Sequence, residues 1–306
     1  MSKLLIVGSV AFDAIETISG KTDKIIGGSA PYFALASTAF GASPKIISVV
    51  GGDFPQEYLD ILSKNGIDIK GIKIEKEGKT MFWSGKYSSD MNKRTTLCTE
   101  LNVFADFKPS VPGEYQDADI LMLGNTHPAI QKSVIEQMRK RPSLIVMDTM
   151  NFWMDNTPKE LEETISMTDI LTINDEEAQQ LSGESNLVKA AKKILAKGLK
   201  ALIIKKGGNG ALLFGKDGEM FFAPALPLET VCDPTGAGDS FAGGFCGYIA
   251  AKGKTDFETL KGAMIAGSVT GSFCCEKFGT ENLLGITEDI AKKRAEVFAT
   301  LTRFNF

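Results

Sequence analysis

The sequence predicts one α/β domain built on a doubly wound, mostly parallel sheet, with helices on both faces and a small strand-built flap over one edge. Three observations predict it. Short apolar runs of strand length alternate with longer helical stretches along most of the 306 residues. The strand candidates are apolar throughout, as strands covered on both faces are. Two stretches, 14–26 and about 72–104, break the alternation with polar, Thr-containing sequence of no helical period. Unstructured loops of such length are uncommon in a compact domain, so these stretches are expected to be strands of the flap.

The elements follow in order. "KLLIVGSV" reads as a buried strand ending at Gly8. "GGSAPYFALASTAFG" reads as a helix with small residues at its start and Gly41 at its end. "PKIISVVGG" is a strand and "DFPQEYLDILSKNG" a helix. Strand and helix then alternate through "ADILMLGN", "PAIQKSVIEQMRK", "SLIVMDT" and "TPKELEETISM". The strand "TDILTIN" precedes "DEEAQQLSG", a helix with acids in its first turn, and "NLVKAAKKILAKG" precedes the strand "KALIIKK". "GALLFGKD" nearly matches a phosphate-cradling GxxxxGK[ST] loop. However, Asp217 stands where a hydroxyl would hold magnesium, and a hairpin turning at "GKDG" fits better.

Composition excludes several classes. A net charge of −4 gives no global attraction for nucleic acid or an anionic membrane. No apolar run is long enough for a membrane span, and "LLIVG" is too short for a signal peptide. Cys98, Cys232, Cys246, Cys274 and Cys275 match neither a zinc ribbon nor a CxxC pair, so reduced thiols in a cytoplasmic protein are expected. The only histidine, His127, follows a strand without a partner in the sequence and is read as structural. An anionic ligand would need local help from backbone amides, a few cations or a metal.

The most informative stretch is "VCDPTGAGDSFAGGF", residues 231–245. Gly236, Ala237 and Gly238 remove side chains where a helix begins, so unpaired N–H groups can approach an anion. Asp239 stands beside that turn. A carboxylate next to an anion nest suits phosphoryl transfer to an alcohol: the acid takes the hydroxyl proton and the nest stabilises the transferring group. "GAGDSF" also begins like GxGxxG, but Phe241 at the third glycine position argues against a dinucleotide site.

"DPTGAGDSFAGGF" resembles the C-terminal signature of the ribokinase-like, or PfkB-type, carbohydrate kinases, which include adenosine kinases. "GSVAFD" at 8–13, "GGSAPYFALASTAFG", "NDEE" at 174–177 and "KKGGNG" at 205–210 resemble further family elements, in family order, so the resemblance covers nearly the whole chain. It implies a ribokinase-like fold whose 14–26 and 72–104 segments form a β-lid, and an ATP- and Mg²⁺-dependent kinase of a primary hydroxyl. Asp239 would be the base, with an anion hole from the amides of Gly236, Ala237 and Gly238. Asp13 would bind acceptor hydroxyls, with Gly27 and Gly28 admitting the substrate to the backbone. Asn174 would contact the ATP phosphates and Glu177 would hold Mg²⁺ through water. Lys205 stands where the family often has threonine and could meet a phosphate. Gly207 and Gly210 would line the nucleotide groove, and Gly279, in "FGTEN", would lie near the adenine. Asp233 and Thr235 occupy positions that bind a monovalent cation, K⁺ among them, in some members. A homodimer through the lid is a further possibility under the resemblance.

The departures bear on the acceptor. Tyr32 replaces an asparagine usual in sugar-selective members, giving an aromatic wall to which Phe12, Phe82 and Trp83 could add. Phe152 stands where arginine is common after Asn151. A small free sugar is ranked just ahead of a nucleoside as acceptor. A noncatalytic ligand sensor is the rival of another class, opposed by the intact Asp239. An oxidoreductase is opposed by the lack of a glycine fingerprint after the first strand.

Overall fold

The computed structural model describes every residue except Phe304 and Phe306. In chain order the strands are β1 (Leu4–Val7), β2 (Ala11–Thr17), β3 (Gly20–Lys21), β4 (Ile25–Gly27), β5 (Lys45–Gly51), β6 (Asp68–Glu75), β7 (Phe82–Tyr87), β8 (Arg94–Glu100), β9 (Ile120–Leu123), β10 (Leu144–Asp148), β11 (Ile170–Asn174), β12 (Ala201–Lys205), β13 (Ala211–Gly215) and β14 (Met220–Ala223). The helices are α1 (Ser29–Thr38), α2 (Gln56–Lys64), α3 (Pro128–Glu136), α4 (Asn151–Asn156), α5 (Pro158–Ser166), α6 (Asp175–Ser182), α7 (Leu187–Leu195), α8 (Ala237–Lys252), α9 (Phe257–Cys275) and α10 (Glu288–Thr302).

Nine strands form the main sheet in the order β14-β13-β12-β11-β10-β9-β1-β5-β6. The run from β12 to β6 is parallel, and β13 and β14 add an antiparallel hairpin that turns at the expected "GKDG". Successive strand residues point to opposite faces and feed two cores. Leu4, Ile6, Met122 and Ile203 join α1, α8 and α9 on one face, while Leu5, Val7, Leu121 and Leu202 join α3, α5 and α7 on the other. Each fully buried Leu or Ile contributes about 1.5–3 kcal/mol.

α8 packs unusually close to its neighbours. A Cβ on Gly243 would fall 2.3 Å from the Phe33 carbonyl oxygen of α1, and one on Gly244 would fall 2.2 Å from Thr270 Oγ1 of α9. Glycines that weaken the helix interior thus serve close contact on both sides.

The second sheet runs β3-β2-β7-β8, with β4 also paired to β2. It begins at Ala11, earlier than the 14–26 stretch expected. Residues 72–75, expected in the flap, belong instead to β6, where they extend the parallel pairing with β5 and bury Ile72. The helices α4, α9 and α10 have no counterpart among the sequence expectations. α9 lies between α8, the β13–β14 hairpin and α10, and its apolar and small residues leave no one-sided stripe to read.

The carboxyl ends of β1, β9, β10, β11 and β12 open on the same edge of the main sheet, where ligands collect in open α/β folds. The chain leaves β1 there and crosses directly into the small sheet, which joins the two sheets at that edge.

Candidate active site

The glycine turn is built as the sequence suggested, with one difference. Gly236 caps α8 at φ +73°, and a Cβ there would meet the Tyr32 ring at 2.4 Å, so both its backbone angle and its surroundings require glycine. The Ala237 N–H is not free for an anion. It donates to the Pro234 carbonyl at 3.2 Å and closes the turn. The N–H groups of Gly236 and Gly238 have no hydrogen-bond partner among the described residues, so two amides stand free at the positive end of α8, where an anion would be favoured. Fully buried Asp233 fixes the preceding loop. Its Oδ1 accepts from the Thr235 N–H at 2.8 Å and its Oδ2 from the Gly279 N–H at 2.9 Å.

Asp239 lies in the first turn of α8. Burial pushes its carboxyl up to about 7, with Asp148 reinforcing the shift and Lys205 and Arg94 opposing it. A carboxylate of that basicity is matched to accepting a hydroxyl proton near neutral pH. Asp13, on β2, is 4 % exposed. Burial raises it to about 7, opposed by the Gly28 N–H and reinforced by Asp233 and Asp239. The Asp13 carboxyl occupies the space over Gly27, where a Cβ would fall 2.0 Å from its Cγ. Gly28 caps α1 at φ +82°, and the next two amides, of Ser29 and Ala30, bond to Ser9 Oγ and the Ser9 carbonyl. That helix terminus is consequently filled by the chain itself.

On the opposite side, Asn174 and Glu177 form a capping box at α6. Asn174 Oδ1 accepts from the Glu177 N–H and Glu177 Oε2 from the Asn174 N–H, both at 2.8 Å. This leaves Asn174 Nδ2 and Glu177 Oε1 for other partners. Burial, reinforced by Asp148, raises Glu177 to about 7. Lys205, at the end of β12, reaches Asp148 at the end of β10, with Nζ 3.4 Å from Oδ2. The same Nζ lies 3.1 Å from where a Cβ on Gly238 would stand. Gly207 and Gly210 form the following turn. Gly207 faces open space, whereas a Cβ on Gly210 would strike the Ala223 carbonyl at 2.3 Å. Gly279 gives its N–H to Asp233 and packs against Ile25 of β4, so its neighbours are the loop before the glycine turn and the small sheet.

Among the expected acceptor aromatics, Tyr32 is only 1 % exposed; its ring lies under Gly236 within the core, and it is no wall of an open pocket. Phe12 is likewise core, its ring 5.2 Å from that of Phe54. Trp83 differs. It pairs in register with Asp13 and so shares its sheet face, and its indole lies along Gly85, where a Cβ would collide at 2.2 Å. The Arg94 guanidinium stands 5.3 Å above the Trp83 ring, and its charge bears on Asp13, Glu177 and Asp239. Tyr87, at the end of β7, meets Thr235 with the two hydroxyl oxygens 3.1 Å apart. His127 caps α3, with Nδ1 accepting the Ala129 N–H at 3.1 Å.

Sequence reasoning missed Asp148, Arg94 and Tyr87. For Asp148 a signal existed: an acid ending the apolar strand "LIVMD" stands where an open α/β sheet gathers its ligands. Arg94 and Tyr87 depend on how the small sheet folds over, which no local pattern states.

Residues 1–286 match the pfkB family carbohydrate kinase profile, which defines a phosphotransferase acting on a hydroxyl of a sugar or nucleoside. The chain belongs to that family. It is 30% identical over 253 residues to the cytidine kinase of Thermococcus kodakarensis, covering 81% of this chain and 89% of that one. It is 25% identical over 303 residues to the nucleoside kinase of Methanothermobacter thermautotrophicus, covering 95% and 94%. Among solved structures, Arabidopsis thaliana ribokinase complexed with ribose and ATP superposes at a TM-score of 0.76 with 20% identity, covering 96% of this chain and 99% of that one. The fold and a phosphotransferase reaction follow from this membership. No helix among the described residues is long and apolar enough to cross a membrane.

Proposed function

We propose that the chain is a nucleoside kinase, transferring the γ-phosphoryl group of ATP to a primary hydroxyl of a ribonucleoside in preference to a free sugar. The observation that carries the choice is Trp83. It stands in register with Asp13 on the same side of the small sheet, with the Arg94 guanidinium 5.3 Å from its ring, so one surface offers a carboxylate for ribose hydroxyls and an indole beside an arginine for a base. The 30% identity to a cytidine kinase supports the same reading.

In the proposed reaction Asp239 takes the proton of the acceptor hydroxyl. The hydroxyl oxygen bonds to the γ-phosphorus as the bond from that phosphorus to the bridging oxygen breaks, and ADP leaves with that oxygen. The amides of Gly236 and Gly238 hold the transferring group. No three His, Cys, Asp or Glu side chains converge as a metal cage among the described residues. The acid-rich site nevertheless fits Mg²⁺ carried in on ATP, because Mg²⁺ keeps phosphate and water ligands and needs few from protein. Glu177, with Oε1 uncommitted, would hold it through water, and the ion would neutralise phosphate charge. Asp233 and Thr235 remain the proposed place for K⁺. Pairing of two copies through the small sheet, along the edge strand β8, is expected to register as a dimer mass in solution.

The test is ADP release measured over nucleosides and free pentoses and hexoses in one preparation. A nucleoside should give the highest kcat/KM, and Trp83→Ala should raise its KM by up to roughly tenfold while sparing ribose. Turnover of free sugars alone would overturn the nucleoside reading.

A further inference from the structure

The Asp148–Lys205 pair lies deeper than a surface ion pair and ends at the glycine turn. Its side chains are only 9% and 17% exposed. Asp148 pairs in register with Thr172 of β11, and Lys205 with Asn174 of the same strand. The two residues thus flank β11 on one face of the sheet and converge over it. The acid is the fixed partner. Its backbone carbonyl accepts from Gln131 Nε2, which also bonds the Gly124 carbonyl, both at 2.9 Å, and Gln131 is fully buried. Asp148 Oδ1 accepts the Thr149 N–H at 2.9 Å, which leaves Oδ2 for the lysine. The lysine is the long partner, and its ammonium ends beside Gly238.

Three carboxylates bear on that ammonium. Burial alone would lower the Lys205 pKa, and Asp148, Glu177 and Asp239 together more than reverse this. The choice among the three matters. A lysine drawn to Asp239 would hold the base in an ion pair, and one drawn to Glu177 would leave the glycine turn. Held by Asp148, it stands at the turn and leaves Asp239 uncommitted.

We propose that Asp148 is a positioning residue that keeps the Lys205 ammonium at the glycine turn, where it adds a positive charge to the two free amides and meets the transferring phosphoryl group. The inference rests on the reading of Asp239 and the glycine turn as the site of transfer. A threonine at position 205 would have needed no such anchor; a lysine there does.

The test is a double-mutant cycle of Asp148→Asn and Lys205→Met, with kcat and the KM for ATP measured at saturating acceptor. Each single substitution should lower kcat by about 10²-fold, as loss of one oriented charge does, with a smaller change in KM. In the Lys205→Met background, Asp148→Asn should change kcat by less than about twofold, because it has no lysine left to position. It should also raise the melting temperature there, by removing a buried carboxylate that has lost its partner. Multiplying losses of kcat, or a further fall in melting temperature, would overturn the proposal, as would unchanged kcat in Asp148→Asn alone. If Asp148→Asn does not fold by itself, the comparison of Lys205→Met with the double variant still decides. Full turnover in Asp239→Asn would instead refute the transfer site itself, so the two failures are distinguishable.

Discussion

At the scale of single residues, the site holds acids in a state that favours chemistry over stability. Asp239 moves from 3.8 to about 7 on folding because burial penalises its charge. The native state therefore binds this proton more tightly than the unfolded chain does. Its stabilising contribution is complete below about pH 4 and is lost as pH rises through about 7. Asp13 and Glu177 shift in the same direction. Turnover needs the opposite form, with Asp239 ionised, and is expected to fall as pH drops through about 7. Asp239→Asn should thus lower kcat by roughly 10²–10⁴. The same variant should melt higher than the wild type at pH 8 and equally at pH 4. A lower melting temperature at pH 8 would show that the carboxylate is stabilised by partners. Gly27→Ala tests the acceptor side. Its Cβ would displace the Asp13 carboxyl, so a raised KM for acceptor is expected, with the KM for ATP little changed.

At the scale of elements, α1, α8 and the turn between them and the small sheet act as one packed unit. Tyr32 of α1 fills the space under Gly236, so Tyr32→Asn should empty an aromatic site at a cost of about 3–5 kcal/mol. The expected result is a lower melting temperature with the ranking of nucleoside over sugar intact. A switch of that ranking would return Tyr32 to the acceptor pocket. This contrast marks what the sequence could convey. The glycine turn and the acidic first turn of the helix after Asn174 were legible because their chemistry lies within a few consecutive residues. The parallel sheet was legible because each buried strand is apolar throughout. The place of Tyr32 was not, because it is set by how α1 crosses α8. Nor was the pairing of Asp148 with Lys205, which depends on β10 and β12 flanking β11. α9 escaped for the reverse reason: covered on several sides, it has no polar face to supply a helical period.

At the scale of the whole molecule, the small sheet is tied to the main body at its base and touches the site at its tip. At the base, Asp53 Oδ1 accepts from both the N–H and the hydroxyl of Thr80 at 2.7 Å, and Asn102 Nδ2 donates to the Thr80 carbonyl at 2.9 Å. The excursion from 81 to 101 therefore leaves and returns at one anchored point. At the tip, Tyr87 of β7 bonds Thr235, and at the end of β2 the Thr17 and Ser19 hydroxyls donate to the Cys232 and Val231 carbonyls of the loop before the glycine turn. A kinase must keep water from the γ-phosphoryl group, and a sheet with a firm base and a light tip contact suits a cover that opens for substrate and closes on it. Residues 82–100 are expected to exchange amide hydrogen more slowly with acceptor and a nonhydrolysable ATP analogue bound than in the free protein. Tyr87→Phe removes the tip hydrogen bond and keeps the ring. A typical hydrogen bond is worth about 0.5–1.5 kcal/mol, so the closed form should lose roughly two- to tenfold in population. Exchange at 82–100 in the doubly liganded variant should then quicken, and ADP release without acceptor should rise relative to release with it, as water gains entry. Identical exchange in wild type and variant, together with an unchanged ratio of the two ADP-release rates, would mean that the small sheet does not close through Tyr87.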